Sequence, residues 1–173
     1  TNLAPDIAPA PIHVRQPRDL MRLMYTSGTT DRPKGVMLTY ENIYWKSADQ
    51  TLVLGLNSET RLLVVGPLYH VGALDLPGIA VLWHGGMLCI HRNFEPEPAL
   101  AAIEREKLNA AWFAPVMTTA LLTCPNRERY DVASLQTVAC FHRNLDYLTR
   151  HRRNNLILLF LVTALTHTQV FSL

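Results

Sequence analysis

Apolar residues along this chain come in short blocks whose spacing switches between two patterns. Leu20, Met21, Leu23 and Met24 form an apolar run that reads as a buried strand. From Tyr40 to Leu54 the spacing becomes helical. Tyr40, Ile43, Tyr44, Ser47, Gln50 and Thr51 fall along adjoining faces, with Trp45 and Lys46 to the side, and Gly55 is placed to cap the C-terminus. Arg61-Leu62-Leu63-Val64-Val65-Gly66 is continuous, as expected of a parallel strand covered on both faces. A second helix is predicted over Ala99 to Lys107, with Leu100 and Ile103 on one face and a solvated charged face from Glu104 to Lys107. Ala110 to Pro115 reads as a short strand, and Val116 to Leu122 opens another helix. Strands alternating with helices predict an α/β fold.

Composition narrows the classes. The chain has 173 residues, 49% of them hydrophobic and 17% charged, which supplies a core and argues against disorder. A net charge of +2, with no basic stripe carrying interleaved aromatics, makes nucleic acid an unexpected partner. Cys89, Cys124 and Cys140 are widely spaced and odd in number, which fits neither a disulfide framework nor a C-x-x-C metal site. They fit a reducing, cytoplasmic location, and the N-terminus shows no basic region followed by an apolar run. Residues 1–18, with Pro5, Pro9, Pro11 and Pro17, read as an extended linker. The first residue is Thr1, so the chain is expected to begin inside a longer one.

The stretch with the most chemistry is Tyr25-Thr26-Ser27-Gly28-Thr29-Thr30-Asp31-Arg32-Pro33-Lys34-Gly35. Small hydroxyl residues and glycines let the backbone approach a ligand closely, and their N–H and O–H groups donate hydrogen bonds. Lys34 adds a point charge. Together these suit a polyphosphate. An ordinary polar turn has a similar composition. A Walker loop does not fit, since Pro33 stands where its second glycine belongs and Gly35 follows Lys34 where a Ser or Thr is needed.

This stretch resembles the signature of the AMP-forming adenylating enzymes (acyl-CoA synthetases, luciferases and peptide-synthetase adenylation domains), [YF]-[ST]-[ST]-G-[ST]-[ST]-G-x-P-K-G. Only Asp31 departs from it, in place of a glycine. A second signature of the same family, P-[LM]-[FY]-H-x-x-G, is matched by Pro67-Leu68-Tyr69-His70-Val71-Gly72, with Ala73 following. It lies at the carboxyl end of the apolar strand, where open α/β sheets hold their ligands. The resemblance extends from Asp19 to Val138. It implies a helix over Leu74 to Leu82, a turn at Trp83-His84-Gly85-Gly86 with His84 at the surface, and a strand over Met87 to Ile90. It also implies Pro115 at a helix start and a strand over Gln136 to Ala139. The fold expected is part of the family's large N-terminal domain, a mostly parallel sheet with flanking helices.

The resemblance also implies a function. In the family, a carboxylic or fatty acid attacks the α-phosphate of ATP to give an acyl-adenylate, and coenzyme A then displaces AMP. Ser27, Gly28, Thr29, Thr30 and Lys34 would hold the ATP phosphates, with Thr26 also contacting them and helping to place Mg2+. His70 would orient the acid, and Tyr69, Gly72 and Ala73 would line the acyl pocket. Asp31 adds a carboxylate beside the triphosphate.

Beyond Val138 the family pattern of S-G-G and Y-G-x-[ST]-E, which holds adenine and Mg2+, is not found, and every glycine lies at or before Gly86. The ribose-binding aspartate and the C-terminal lysine of the family are not matched either. The isolated chain is therefore expected to be incomplete for adenylation. In its place Arg150, His151, Arg152 and Arg153 precede an apolar run from Leu156 to Leu165, shorter than the ~20 residues of a spanning helix. Residues 139–173 thus read as an atypical tail of unclear structure. It is either the product of a reading-frame change, the favoured reading, or a segment that associates with a membrane or partner chain. A sheet ending at the strand near Val138 would leave an unpaired apolar edge.

Overall fold

The computed structural model describes residues 11–26, 33–72, 74–140 and 157–159, with the side chains of Thr26, Cys140 and 157–159 left aside. The chain divides into two compact units, residues 1–42 with 168–173, and residues 43–167.

In the first unit, residues 11–16 have no regular structure and are exposed. Two strands, β1 (Leu20–Thr26) and β2 (Lys34–Thr39), pair antiparallel as a hairpin, with Tyr25 opposite Gly35 and Thr26 opposite Lys34. The expectation of a buried strand at Leu20–Met24 is corrected. Leu20, Met21 and Leu23 are exposed, because a two-stranded ribbon covers its side chains far less than an inner strand of a larger sheet. The hairpin leads into α1 (Tyr40–Leu54). Its start is closely capped: the Tyr40 and Glu41 amides donate to the Asp19 and Pro17 carbonyls, and the Asn42 amide donates to Thr39 Oγ1. In return, the Thr39 amide donates to Asn42 Oδ1, a capping box with Asn in the usual Glu position. Gly55, at φ 65°, ends the helix in the left-handed region as its placement predicts.

The second unit holds a five-stranded sheet in the order β4-β3-β5-β6-β7. Its strands are β3 (Arg61–Val64), β4 (Met87–Ile90), β5 (Ala110–Phe113), β6 (Thr137–Cys140) and β7 (Ile157–Leu159), and every pairing is parallel. The crossovers carry α2 (Gly78–Trp83), α3 (Pro96–Glu106) and α4 (Pro115–Leu122). Side chains alternate across the sheet. Leu63, Val65, Ala111, Phe113 and Val138 join Leu100, Ile103 and Leu121 in one core. Leu62, Val64, Ala110 and Ala139 join Leu54, Ala80 and Val81 in the other. Burial on both faces is the reason β3 is apolar from Leu62 onward.

Two expectations change. The helix expected over Leu74–Leu82 is shorter and begins at Gly78, after Pro77, because the residue preceding a proline is pushed out of helical conformation. The tail contributes a strand: Ile157–Leu159 pairs with Thr137–Ala139, so the edge expected to be bare at β6 is covered. The rest of residues 141–173 lies outside the described residues. Among the described residues no helix is long and apolar enough to cross a membrane.

Candidate functional site

Of the phosphate-loop candidates, Thr26 ends β1 and Lys34 opens β2. Register places Lys34 directly across from Thr26, a cation opposite a hydroxyl residue. Ser27, Gly28, Thr29, Thr30 and Asp31 lie outside the described residues. Lys34 is partly buried. The exposed Tyr25 ring stands in ordinary contact range of Gly35, where a Cβ would meet Tyr25 Cε1 at 3.6 Å.

The second group belongs to the sheet. β3 runs into buried Val65 and Gly66, and the chain then surfaces at Pro67, Leu68, Tyr69 and His70. The His70 amide donates to the Pro67 carbonyl at 2.9 Å, closing a turn at the carboxyl edge of the parallel sheet. Tyr69 is 83% exposed, and His70 is likewise on the surface. The Gly72 amide donates to His70 Nδ1 at 3.1 Å. A backbone N–H can only donate, so Nδ1 is the unprotonated nitrogen and the neutral ring carries its proton on Nε2. Ala73 lies outside the described residues.

Two residues near this segment escape a reading by motif. Asp75 is 1% exposed, a buried carboxylate three positions after Gly72; a charge within an apolar stretch was its one visible sign. Trp112, on β5, stands against Gly72: a Cβ on that glycine would lie 2.5 Å from the indole Cη2 and 2.6 Å from Cζ2. Nothing in the spacing of residues 72 and 112 signals this meeting, which the β3–β5 pairing brings about.

Elsewhere, charged residues serve structure. Glu97 accepts from Tyr130 Oη and Asn126 Nδ2, and that bond holds the Tyr130 phenol above its ordinary range. Lys107 pairs with Asp131, Arg105 with Glu106, and Arg61 reaches Glu106, in keeping with a solvated charged face. His84, at the surface as expected, shares a hydrogen bond with Thr51 Oγ1. Cys89 and Cys124 are free thiols, and burial, helped by Glu106, pushes the Cys89 thiol up. No group of three or more His, Cys, Asp or Glu side chains suited to a metal occurs among the described residues.

Comparison with known proteins agrees with both the fold and the motifs. The AMP-binding enzyme family matches residues 2–151, past Val138 where the motif resemblance stops. A feruloyl-CoA synthase from Amycolatopsis is 38% identical over 122 residues, covering 70% of this chain and 25% of that protein. A 4-coumarate–CoA ligase from Humulus lupulus is 35% identical over 126 residues, covering 70% and 23%. The O-succinylbenzoate coenzyme A synthetase of Bacillus subtilis, solved with ATP and magnesium ion, superposes with a TM-score of 0.72 at 26% identity. That match covers 88% of this chain and 32% of the solved one. The N-terminal domain of FACL13 from Mycobacterium tuberculosis, at 24% identity and a TM-score of 0.67, shares the fold. The chain thus spans about a quarter of the length of the curated relatives it matches. With both signatures in order, and a fold shared with solved N-terminal domains, the chain belongs to the AMP-binding enzyme family.

Proposed function

We propose that this chain is the phosphate-loop and acid-orienting part of an AMP-forming acid–thiol ligase. Such an enzyme joins a carboxylic acid to coenzyme A through an acyl-adenylate at the expense of ATP. The observation that carries the reading is the register of Thr26 opposite Lys34, which pairs a hydroxyl residue with a cation at the two ends of the hydroxyl- and glycine-rich segment. Phosphoryl-group substitution asks for positioning and charge neutralisation rather than covalent participation by the protein, and this is what such a loop supplies.

In this reading Ser27, Gly28, Thr29, Thr30 and Lys34 hold the β- and γ-phosphates. Mg2+ needs no all-protein cage. It is commonly held by substrate phosphates and few protein oxygens, and the Thr26 hydroxyl is the group we assign to it, to neutralise phosphate charge. His70 offers Nε2–H to a carboxylate oxygen of the acid, and Tyr69, Gly72 and Ala73 shape the space for its acyl group. Several relatives are named for acids bearing an aromatic ring (feruloyl-, 4-coumarate-, 2-succinylbenzoate- and indoleacetate-directed ligation), so we infer an aryl-substituted acid. A reducing, cytoplasmic setting fits a coenzyme A ligase with free thiols.

The test is acid-dependent ATP–pyrophosphate exchange by a polypeptide carrying this chain, with ferulate as the acid. Lys34→Ala is expected to abolish exchange and to weaken MgATP binding by about 10–100-fold, since a hydrogen bond to a charged group is worth roughly 1.5–3 kcal/mol. Exchange that persists unchanged in Lys34→Ala would remove the phosphate role of Lys34.

A further inference from the structure

We infer that Trp112 is a positioning residue for His70, acting through Gly72. The outer ring of the indole lies so close behind Gly72 that any Cβ there would stand 2.5 to 3.1 Å from Cη2, Cζ2 and Cζ3. The left-handed region is not the reason for glycine at this site, since Gly72 is not among the residues with positive φ. Space is the reason. Trp112 is anchored in turn: it sits in β5, between β3 and β6, and packs on the core that includes Leu62, Val64 and Ala110.

A stiff aromatic wall behind Gly72 limits how far its peptide can retreat, and that peptide's N–H is the donor to His70 Nδ1. The chain of contacts therefore runs from the sheet interior to the exposed imidazole: indole, Gly72 backbone, Nδ1. Among the described residues this is the only hydrogen bond to the ring, so the wall decides how firmly the ring is held and which nitrogen carries the proton. Nε2–H is left to donate. The use made of that proton, on the carboxylate of an acid, rests on the ligase reading above; the positioning itself does not.

The experiment is a proton titration of the 173-residue chain followed by NMR, comparing the backbone amide of residue 72 with the His70 ring. In the wild type the amide shift follows the ring with the same midpoint, because protonating Nδ1 takes away its acceptor. Trp112→Phe deletes the outer-ring atoms while keeping an aromatic in the core, and is expected to lose this tracking. Gly72→Ala is expected to lose it as well, by collision with the intact indole. The double variant Gly72→Ala/Trp112→Phe is expected to regain it, the methyl filling the vacated space. A role for Trp112 in core packing alone predicts no such recovery. Wild-type tracking in either single variant, or its absence in the wild type, would overturn the inference. Neither ATP nor acid is present, so a negative exchange assay bears on the ligase reading alone.

Discussion

At the scale of single residues, Asn109 shows how one polar side chain organises the amino ends of three strands. Its Oδ1 accepts from the Arg61 amide at 2.8 Å and its Nδ2 donates to the Glu59 carbonyl at 2.9 Å, while its own carbonyl receives the Gln136 and Thr137 amides. Asn109→Ala leaves the backbone bonds in place and removes two side-chain bonds, for an expected loss of about 1–3 kcal/mol in urea denaturation. Asn109→Asp keeps the acceptor but places a carboxylate oxygen against the Glu59 carbonyl, and should be no more stable than the alanine variant. A midpoint equal to wild type in Asn109→Ala would show that the clamp contributes nothing. Little of this was legible beforehand, because an asparagine between helix and strand looks like any turn residue until its distant partners, 48 and 50 positions away, are brought to it. The candidate site divides in the same way. The motif residues Lys34 and His70 were visible as letters, whereas Trp112 has no motif and was found through the glycine it crowds.

At the scale of elements, caps and end charges govern the helices. Thr39→Ala removes the side-chain half of the α1 capping box and should lower stability by about 1 kcal/mol, with Thr39→Ser close to wild type. Equal loss in both variants would point to the Thr39 methyl instead. Past the end of α3, Asp131 accepts from the Ala133 amide and from Lys107 Nζ, and these bonds hold its carboxyl below the ordinary value of 3.8. A depressed folded value means the stabilisation is present above 3.8 and is lost as pH falls through the folded value. In a stability–pH curve, Asp131→Asn should therefore lower the neutral plateau slightly, flatten the acid limb by the same small amount, and leave stability below the folded value unchanged, both side chains being solvent-exposed. An acid limb as steep as that of the wild type would show that other carboxylates dominate. The types of α1, α3, α4, β3 and β5 followed from spacing, and those of α2, β4 and β6 from the family resemblance. Their ends were harder: Pro77 delays α2, and the hairpin strand at Leu20 looked buried because apolar content does not report what lies on either side of it.

At the scale of the whole molecule, the sheet decides what lies at an edge. β3 and β5 are flanked on both sides, and Leu63 is fully buried, so Leu63→Ala is expected to cost about 2–5 kcal/mol. β6 is an inner strand only because β7 pairs with it. Ending the chain at residue 156 should therefore lower hydrogen-exchange protection in Thr137–Cys140 while sparing Arg61–Val64. Unchanged protection in β6 would mean that the Ile157–Leu159 pairing is not formed in solution. The tail read as a break in family pattern, yet three of its residues complete a ladder, since a parallel strand needs main-chain partners more than any particular motif.

The sequence by itself determined the alternation of strands and helices, the apolar strands destined for burial on both faces, and the two signatures that carry the family. These properties are local: a run of β-branched and aliphatic residues, a glycine after a helix, or an eleven-residue motif needs no knowledge of what lies elsewhere in the chain. Tertiary structure alone decided which strands became neighbours, that Lys34 stands across a ladder from Thr26, that β7 covers β6, and that Trp112 backs onto Gly72. Each is a meeting of residues separated along the chain, and such meetings are set by sheet order and register, which depend on packing summed over the whole core.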